Sequence, residues 1–494
     1  MRKLHLKIII KLSVKAYQAI SRTALTSITS RSSSMKKGSN FFKLNSIGAA
    51  VIAAVAGLGM TAAPAVQAEG ANQFLDDSSL SGGLYLWDRN RDRLDAPDGD
   101  FQTNLSHTTI NANLDFTSGY AYDVIGVDLG VFFAADLRND GDPHHEMSFF
   151  PGSNNPWDID WSQSKADSGA SIYKAAVKVK GGPAWAKAGY FQPSGPGVMG
   201  VNWSFMPGTY LGGEAGVSMN GFEFATAYAS EYKAPWYKDT YGFKMNDGQT
   251  DVDYMWSVGG RYTFDFGTSV EVAYGESQDY LTNAHFKAKH NMTVRQDDSL
   301  YLTYQLYMMS DVNSHDNENE NFDGNAYQHY LGARWNTGPY TVKAEGLYTK
   351  APQSESYHQG QFAYRMTSAY GGSNGAYEPW WDARSDWNHD EEKAVFVGLW
   401  RDLSDLGAKG WSVGASYAYG WGGESITTTE ELREEAYNLD IAYTVPEGSF
   451  KGTTAKLHYT DYNNKSNEPS WAGFKNAFQD EQDLKLMLIV PFSL

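Results

Sequence analysis

The stretch LKLMLIVPFSL, Leu484 to Leu494, decides how the rest of the chain is read. Leu484, Leu486, Leu488, Val490, Phe492 and Leu494 form one unbroken apolar row at period two, and Lys485, Met487, Ile489, Pro491 and Ser493 form the other. Side chains of a strand alternate between two faces, so this is a strand with one greasy side. In an open sheet it would be an edge, a row of unpaired amides that templates aggregation. A barrel in which the last strand pairs with the first removes that edge.

Composition agrees with a barrel in a membrane. The 494 residues are 41% hydrophobic and 14% aromatic, with 32 Tyr and 15 Trp, yet the mean hydropathy is only -0.49. Alternating lipid-facing and water-facing residues average out in this way. Beyond the N-terminal region no run of about 20 apolar residues occurs, which excludes a helical membrane protein. Cysteine is absent, so disulfides, thiolate metal sites and cysteine nucleophiles are excluded together, as suits an oxidising compartment.

From Met35 the chain runs MKKGSNFFK, then an apolar Ile47 to Met60, then Val66-Gln67-Ala68. A basic start, a short apolar stretch and small residues mark residues 35–68 as a secretory signal peptide cut after Ala68. Residues 1–34 precede it, basic and without an acid, and are read as an upstream extension or a misassigned start. The first 68 residues hold 10 of the 40 basic residues and none of the 58 acidic ones, which leaves residues 69–494 at a net charge of -28. Nucleic acid is an unsuitable partner for such a surface.

From Ser79 onward, segments of roughly ten residues with period-two apolar rows recur. Thr108, Ile110, Ala112, Leu114 and Phe116 alternate with His107, Asn111, Asn113 and Asp115, and polar residues this regular cannot face lipid. Short turns at Ser118 to Asp123, Gly181 to Pro183, Met219 to Gly221, Asp265 to Thr268, Thr337 to Pro339 and Pro446 to Gly448 alternate with long polar segments. The long ones include Arg138 to Gly169, Gln192 to Thr209, Glu231 to Asp251 and Thr349 to Glu391. Short periplasmic turns and long extracellular loops are the outer-membrane pattern. The expected fold is therefore all-β: one transmembrane antiparallel β-barrel over residues 69–494, with eighteen strands, sixteen being the alternative. An interior of that width is not filled by its own side chains, and some long loops should fold inward to narrow it.

Arg89, Arg91 and Arg93 share lumen parity at the first strand and its exit, and Lys174, Lys178 and Lys187 share it further on. Such a column either guides carboxylate-bearing solutes and sugar hydroxyls or neutralises facing acids. Aromatic residues gather in the loops: Trp203, Phe205 and Tyr210; Tyr232, Trp236 and Tyr237; Tyr377, Trp380, Trp381 and Trp387. Their flat faces suit stacking on pyranose rings, although aromatics at strand ends also form the interfacial girdle. Trp380-Trp381-Asp382-Ala383-Arg384 lies deep inside a polar loop, where a girdle does not reach. The acidic stretch Asp311 to Gly324 lacks the glycine an EF-hand needs at its sixth position, and His144-His145-Glu146 is a weak metal motif, so no metal or cofactor is expected. No nucleophile elbow, HExxH or phosphate loop appears, and no enzyme activity is expected.

Several stretches resemble the chitoporin branch of the OprD-type outer-membrane porins: LWDRNRDR (Leu86 to Arg93), NWSFMPGTYLGGEAG (Asn202 to Gly216), SEYKAPWY (Ser230 to Tyr237), EKAVFVGLW (Glu392 to Trp400) and PSWAGFKNAFQDEQDLKLM (Pro469 to Met487). The resemblance spans Ser79 to Phe492. It implies a monomeric, substrate-selective channel in the outer membrane of a Gram-negative bacterium, passing chitooligosaccharides or related N-acetylglucosamine sugars. Arg89, Arg91, Arg93, Trp203, Tyr232, Trp236, Trp381, Asp382 and Arg384 are the substrate-binding or pore-lining candidates that its motifs carry. Implied partners besides the sugar are outer-membrane lipid, lipopolysaccharide and the assembly machinery. The alternatives are a channel of the same type for basic amino acids, peptides or small carboxylates, and, from other classes, a barrel hydrolase or an adhesin. Two geometric expectations follow: the third and seventh loops form the constriction, and Leu484 to Leu494 pairs with Ser79 to Arg89.

Overall fold

The computed structural model describes residues 73–94, 103–144, 146–149, 166–201, 204–245, 247–295, 298–312, 322–352, 360–367, 375–424, 430–466 and 479–493. The expected signal peptide and the segment before it lie outside these, as do Trp203, His145 and most of the acidic stretch after Asp311.

A single turn of helix, α1 (Gln73–Asp76), leads into β1 (Ser79–Arg93), β2 (Leu105–Thr117), β3 (Ile125–Asn139), β4 (Gly169–Gly181), β5 (Ala184–Phe191), β6 (Thr209–Met219) and β7 (Phe222–Lys233). A small hairpin, β8 (Tyr241–Lys244) and β9 (Asp251–Val252), stands in the fourth loop. The chain continues through β10 (Met255–Thr263), β11 (Thr268–Ser277), β12 (Leu281–Arg295), β13 (Asp298–Asp311), β14 (Asn325–Thr337), β15 (Tyr340–Lys350), β16 (Lys393–Asp402), β17 (Trp411–Glu424), β18 (Glu431–Thr444), β19 (Thr454–Asn464) and β20 (Glu481–Ser493). Each long strand pairs antiparallel with its sequence neighbour, β7 pairs with β10 past the hairpin, and β20 returns to β1. The result is a closed barrel of 18 strands.

The closing register runs from Ser81 opposite Ser493 to Arg93 opposite Glu481. Leu484, Leu486, Leu488 and Phe492 are exposed on the outside, and Met487 is buried inside, as the period-two rows require. The same inversion holds around the wall. Ile110, Val177, Val272, Leu331, Leu399 and Leu439 are bare outward, whereas His107, Asn111, Gln305, Gln328 and Asn438 are buried inward. Apolar outside and polar inside is the arrangement a hydrocarbon solvent selects. Phe264, Phe266, Trp335, Tyr340, Trp411 and Phe450, all near short turns, are exposed in a belt, where amphipathic rings settle at a membrane interface. No helix among the described residues is long and apolar enough to cross a membrane.

Turn chemistry fixes the short connections. Asn220 and Gly221 have φ of 51° and 80°, the left-handed pair that a two-residue hairpin needs to match the twist of its strands.

The lumen is not empty. Loop 3 (192–208) and loop 7 (351–392) turn inward and meet, the Ala376 amide donating to the Val198 carbonyl at 2.9 Å. Around that contact Val198, Met199, Phe362, Tyr364 and Met366 pack with Tyr307, Met309 and Met255 of the wall in an apolar cluster inside the barrel. Loop 3 lies close to β10 because Gly259 leaves room for Pro196 and Gly197. Its amides are not orphaned: Ser194 and Gly195 donate to Glu214, and Val198 to the Ser257 hydroxyl, as buried backbone requires.

Candidate functional site in the barrel lumen

Strand parity presents charged side chains to the lumen, and two loops collect them. On β1 and β20 the outward rows are leucine-rich, so Arg89, Arg91, Arg93, Glu481, Asp483 and Lys485 all point inward at the seam. Arg89 grips Asp483 with two parallel bonds of 2.9 and 2.7 Å and also pairs with Glu146 of the second loop. Glu481 faces three guanidinium groups: Arg93 at 3.0 Å, Arg384 of loop 7 at 3.4 Å and Arg91 at 3.7 Å. Lys485 reaches Asp382 of loop 7 at 2.7 Å. The seam thus anchors two loops electrostatically, with planar guanidinium–carboxylate geometry where it is tightest.

Burial pushes the Glu146 carboxyl upward, but Arg89 and His107 outweigh it and hold the group well below the usual carboxylate range. Asp382 behaves likewise: burial raises it, while Lys485, His458 and Lys456 hold it below its ordinary value. Both loop acids are therefore ionised at neutral pH.

Beside this anchor loop 7 presents an aromatic shelf. Trp381 is buried, its indole nitrogen donating to Glu345 at 2.7 Å and its ring stacked on Phe396 with centroids 5.4 Å apart. Trp400 of β16 donates to Asp440 at 2.9 Å. It lies flat over the wall because Gly398 and Gly414 are glycines; a Cβ on Gly414 would sit 2.0 Å from the indole. Trp380 is different: it is 67% exposed. Together with Arg334, Lys343, Lys456 and His458 these rings line a cavity of about 580 Å³, in the size range of small-molecule sites. Asp440 accepts from His458 at 2.8 Å and Lys456 at 2.8 Å, so the polar wall is held in place before any solute arrives. Lys343 lies over the Trp400 ring at 5.9 Å.

The family model for "outer membrane porin, OprD family" matches residues 72–494. The chain belongs to the OprD family of outer-membrane porins. Its barrel is a multi-pass outer-membrane span, with the short turns on the periplasmic side and the long loops outside. A chitoporin of Escherichia coli (strain K12) is 41% identical over 471 residues, covering 92% of this chain and 98% of that one. Among solved structures, OccAB1 of Acinetobacter baumannii superposes with a TM-score of 0.68 at 16% identity, over 87% of this chain and 100% of its own. OpdK of Pseudomonas aeruginosa, crystallised with vanillate, superposes with a TM-score of 0.67 at 16% identity, over 85% and 100%.

In this porin Arg89, Arg91, Arg93, Asp382 and Arg384 converge on the seam network, and Trp381 adjoins it. Tyr232 and Trp236 lie elsewhere. Tyr232 is fully buried against Tyr210, ring centroids 4.7 Å apart, and Trp236 packs on the same apolar cluster, so both shape loop packing. Lys174, Lys178 and Lys187 pair with Asp115, Asp128 and Glu214 at 2.7, 2.7 and 3.0 Å, the neutralising arrangement. Residues that sequence reasoning passed over are Lys343, Asp440, Lys456, His458 and Trp400, all inward-facing on β15 to β19. Their parity was readable, since Lys456 and His458 alternate with Leu457 and Tyr459; their convergence was not. Glu378 of loop 7 was passed over as well; it bridges Lys287 at 2.8 Å and Lys289 at 2.7 Å.

Proposed function

We propose that this porin passes chitooligosaccharides or related N-acetylglucosamine sugars down their gradient, with the shelf around Trp380 as a sugar-contacting station. The observation that carries the reading is one exposed indole, Trp380, beside rings whose N–H groups are already held by Glu345 and Asp440. Such faces are rigid, so stacking on a pyranose costs little ordering entropy, while Asp382, Lys456 and His458 offer hydroxyl and amide partners. The 41% identity to a chitoporin over nearly its whole length supports the same solute class. Nothing in this reading requires bond-breaking chemistry, and the protein acts as a channel without enzyme activity. Function as a monomer, placed by the assembly machinery in a membrane bearing lipopolysaccharide, belongs to the same proposal.

A second reading, passage of small carboxylates, basic amino acids or peptides, is favoured by Arg334, which makes no ion pair among the described residues. Planar-bilayer current separates the two. Chitohexaose should interrupt the wild-type current, and Trp380→Ala should weaken that blockade by roughly two- to tenfold, matching a stacking contact of about 0.5–1.5 kcal/mol, with ionic conductance unchanged. A current that chitohexaose never interrupts, but a small aromatic carboxylate does, would replace the sugar reading by the second. Trp381→Ala is the poorer probe, because it also removes buried packing and leaves Glu345 without its donor.

A further inference from the structure

Where loop 7 rejoins the wall, three groups that neither the seam network nor the shelf uses come together. His389 and Glu392 from the end of the loop meet Glu434 of β18, and one donor atom from each lies within 4.8 Å of the others. All three are buried, at 0%, 2% and 0% exposure. His389 Nδ1 lies 3.2 Å from Glu392 Oε2, and among the described residues no lysine or arginine forms an ion pair with either carboxyl. Lys350, at the loop root, is engaged by Asp390 and Glu391 instead. Two acids this deep need a neutralising partner, because an uncompensated buried charge is costly.

The surroundings are shaped to hold these donors apart from water. Gly420 of β17 makes room for them: a Cβ there would stand 2.2 Å from Glu392 Oε1 and 3.2 Å from Glu434 Cγ. The outer lone pairs are already taken. Ser385 Oγ donates to Glu434 Oε1 at 2.8 Å, the Tyr462 hydroxyl donates to Glu434 Oε2, and the His389 amide donates to Glu392 Oε2 at 3.0 Å. Hydrogen bonds to the carboxylates from a surrounding layer are how metal ligands are oriented. The loop also adopts left-handed backbone at Ser385, Trp387 and Glu391, with φ of 76°, 52° and 60°, which for non-glycine residues persists only when neighbouring structure enforces it.

We infer that His389, Glu392 and Glu434 form a binding site for a borderline divalent transition metal of the zinc class, which ties the end of loop 7 to β18. One imidazole and two carboxylates are a nitrogen–oxygen donor set that suits Zn²⁺ or Co²⁺. Ca²⁺ takes six to eight oxygens and has too few here. A bound ion joins the loop segment carrying Trp380 to Arg384 to the barrel wall at a second point, independent of the seam. Its role is to stiffen the lumen, and it takes no part in chemistry.

The experiment uses the untagged full barrel in detergent, stripped with a chelator and titrated with Co²⁺ as the spectroscopic probe. One equivalent should give a saturable ligand-field band that Zn²⁺ displaces, and Zn²⁺ should raise the thermal midpoint of the wild type. His389→Ala and Glu434→Gln, each verified as folded by heat-modifiable electrophoretic mobility, should weaken Co²⁺ binding by about tenfold or more and lose the Zn²⁺ shift. Absence of a saturable band in the wild type overturns the assignment and leaves the two carboxyls sharing a proton. A band that persists unchanged in both variants overturns it too, placing the metal elsewhere. If one variant does not fold, the wild-type titration and the other variant decide.

Discussion

The ammonium of Lys485, on the strand that closes the barrel, lies 2.7 Å from a carboxylate oxygen of Asp382 in the middle of loop 7. The last stave of the wall therefore holds the loop that narrows the lumen. Asp382 also faces His458 at 3.6 Å and Lys456 at 3.8 Å, so one carboxylate gathers two lysines and an imidazole from two strands. Asp382→Asn should weaken loop 7 docking by about 1.5 kcal/mol, the low end for a charge-assisted bond because the group is partly exposed, and leave the local lumen more positive. The checks are faster proteolytic nicking of loop 7 and a reversal potential in a salt gradient displaced toward anion selectivity. An unchanged reversal potential would mean that Asp382 does not face the conducting path.

The same loop sets an acid limit. Asp382 and Glu378 both sit below their ordinary values: burial raises each, but Lys485 with His458 in the first case, and Lys287 with Lys289 in the second, outweigh it. A carboxyl whose folded value is depressed contributes stability that is fully present above its unfolded value and is lost as pH falls through the folded one. Loop 7 should therefore stay docked from neutral pH down to about pH 4, near the unfolded carboxyl values, and loosen below that. Single-channel recordings across this range should show flickering only on the acid side.

Glu481 is the hub of the seam. Arg93, Arg384 and Arg91 converge on it, and its side chain is 2% exposed. Glu481→Ala would leave three guanidinium groups without their shared acid, and breaking a buried ion pair in this way costs about 3–5 kcal/mol. The temperature at which the folded barrel converts to the slower-migrating unfolded form in detergent should fall by several degrees. Glu481→Asp, which keeps the charge, should recover part of the loss.

The seam register is directly testable because the chain has no cysteine. Leu86 stands opposite Leu488, and directly opposed residues in an antiparallel pair lie about 4.5–5.5 Å apart at Cα, within disulfide reach. Leu86→Cys with Leu488→Cys should crosslink on oxidation and change mobility in unreduced gels. Leu86→Cys with Leu484→Cys, four residues out of register, should not.

Parity along strands was the legible part of this protein. The alternating rows of Leu484 to Leu494 and of His107 to Phe116, and the alternation of short and long connections, are enough to specify a closed barrel, the partner of its last strand and which side chains face lipid, while the choice of eighteen strands over sixteen came from the structure. They do so because each strand residue's facing follows from its neighbours at period two. Even the stretch Ala394 to Trp400, apolar on both faces, has a simple cause once seen in place. Val395, Val397 and Leu399 face outward, while Ala394, Phe396 and Trp400 carry the packing of loop 7.

Inside the loops no such period exists. Nothing in the order Trp380-Trp381 says that the first ring stays exposed while the second is buried on Phe396, nor that Tyr232, expected in an aromatic loop, sits at the end of β7 and packs away from Asp382. His389 and Glu392 are separated from Glu434 along the chain by the whole of β16 and β17, and only the side-by-side pairing of β16, β17 and β18 brings the three within reach. Local alternation written in the sequence determined the wall. Contacts between residues distant in the chain decided the site, because a long loop takes its conformation from the surface it lands on, and that surface exists only once the barrel has closed.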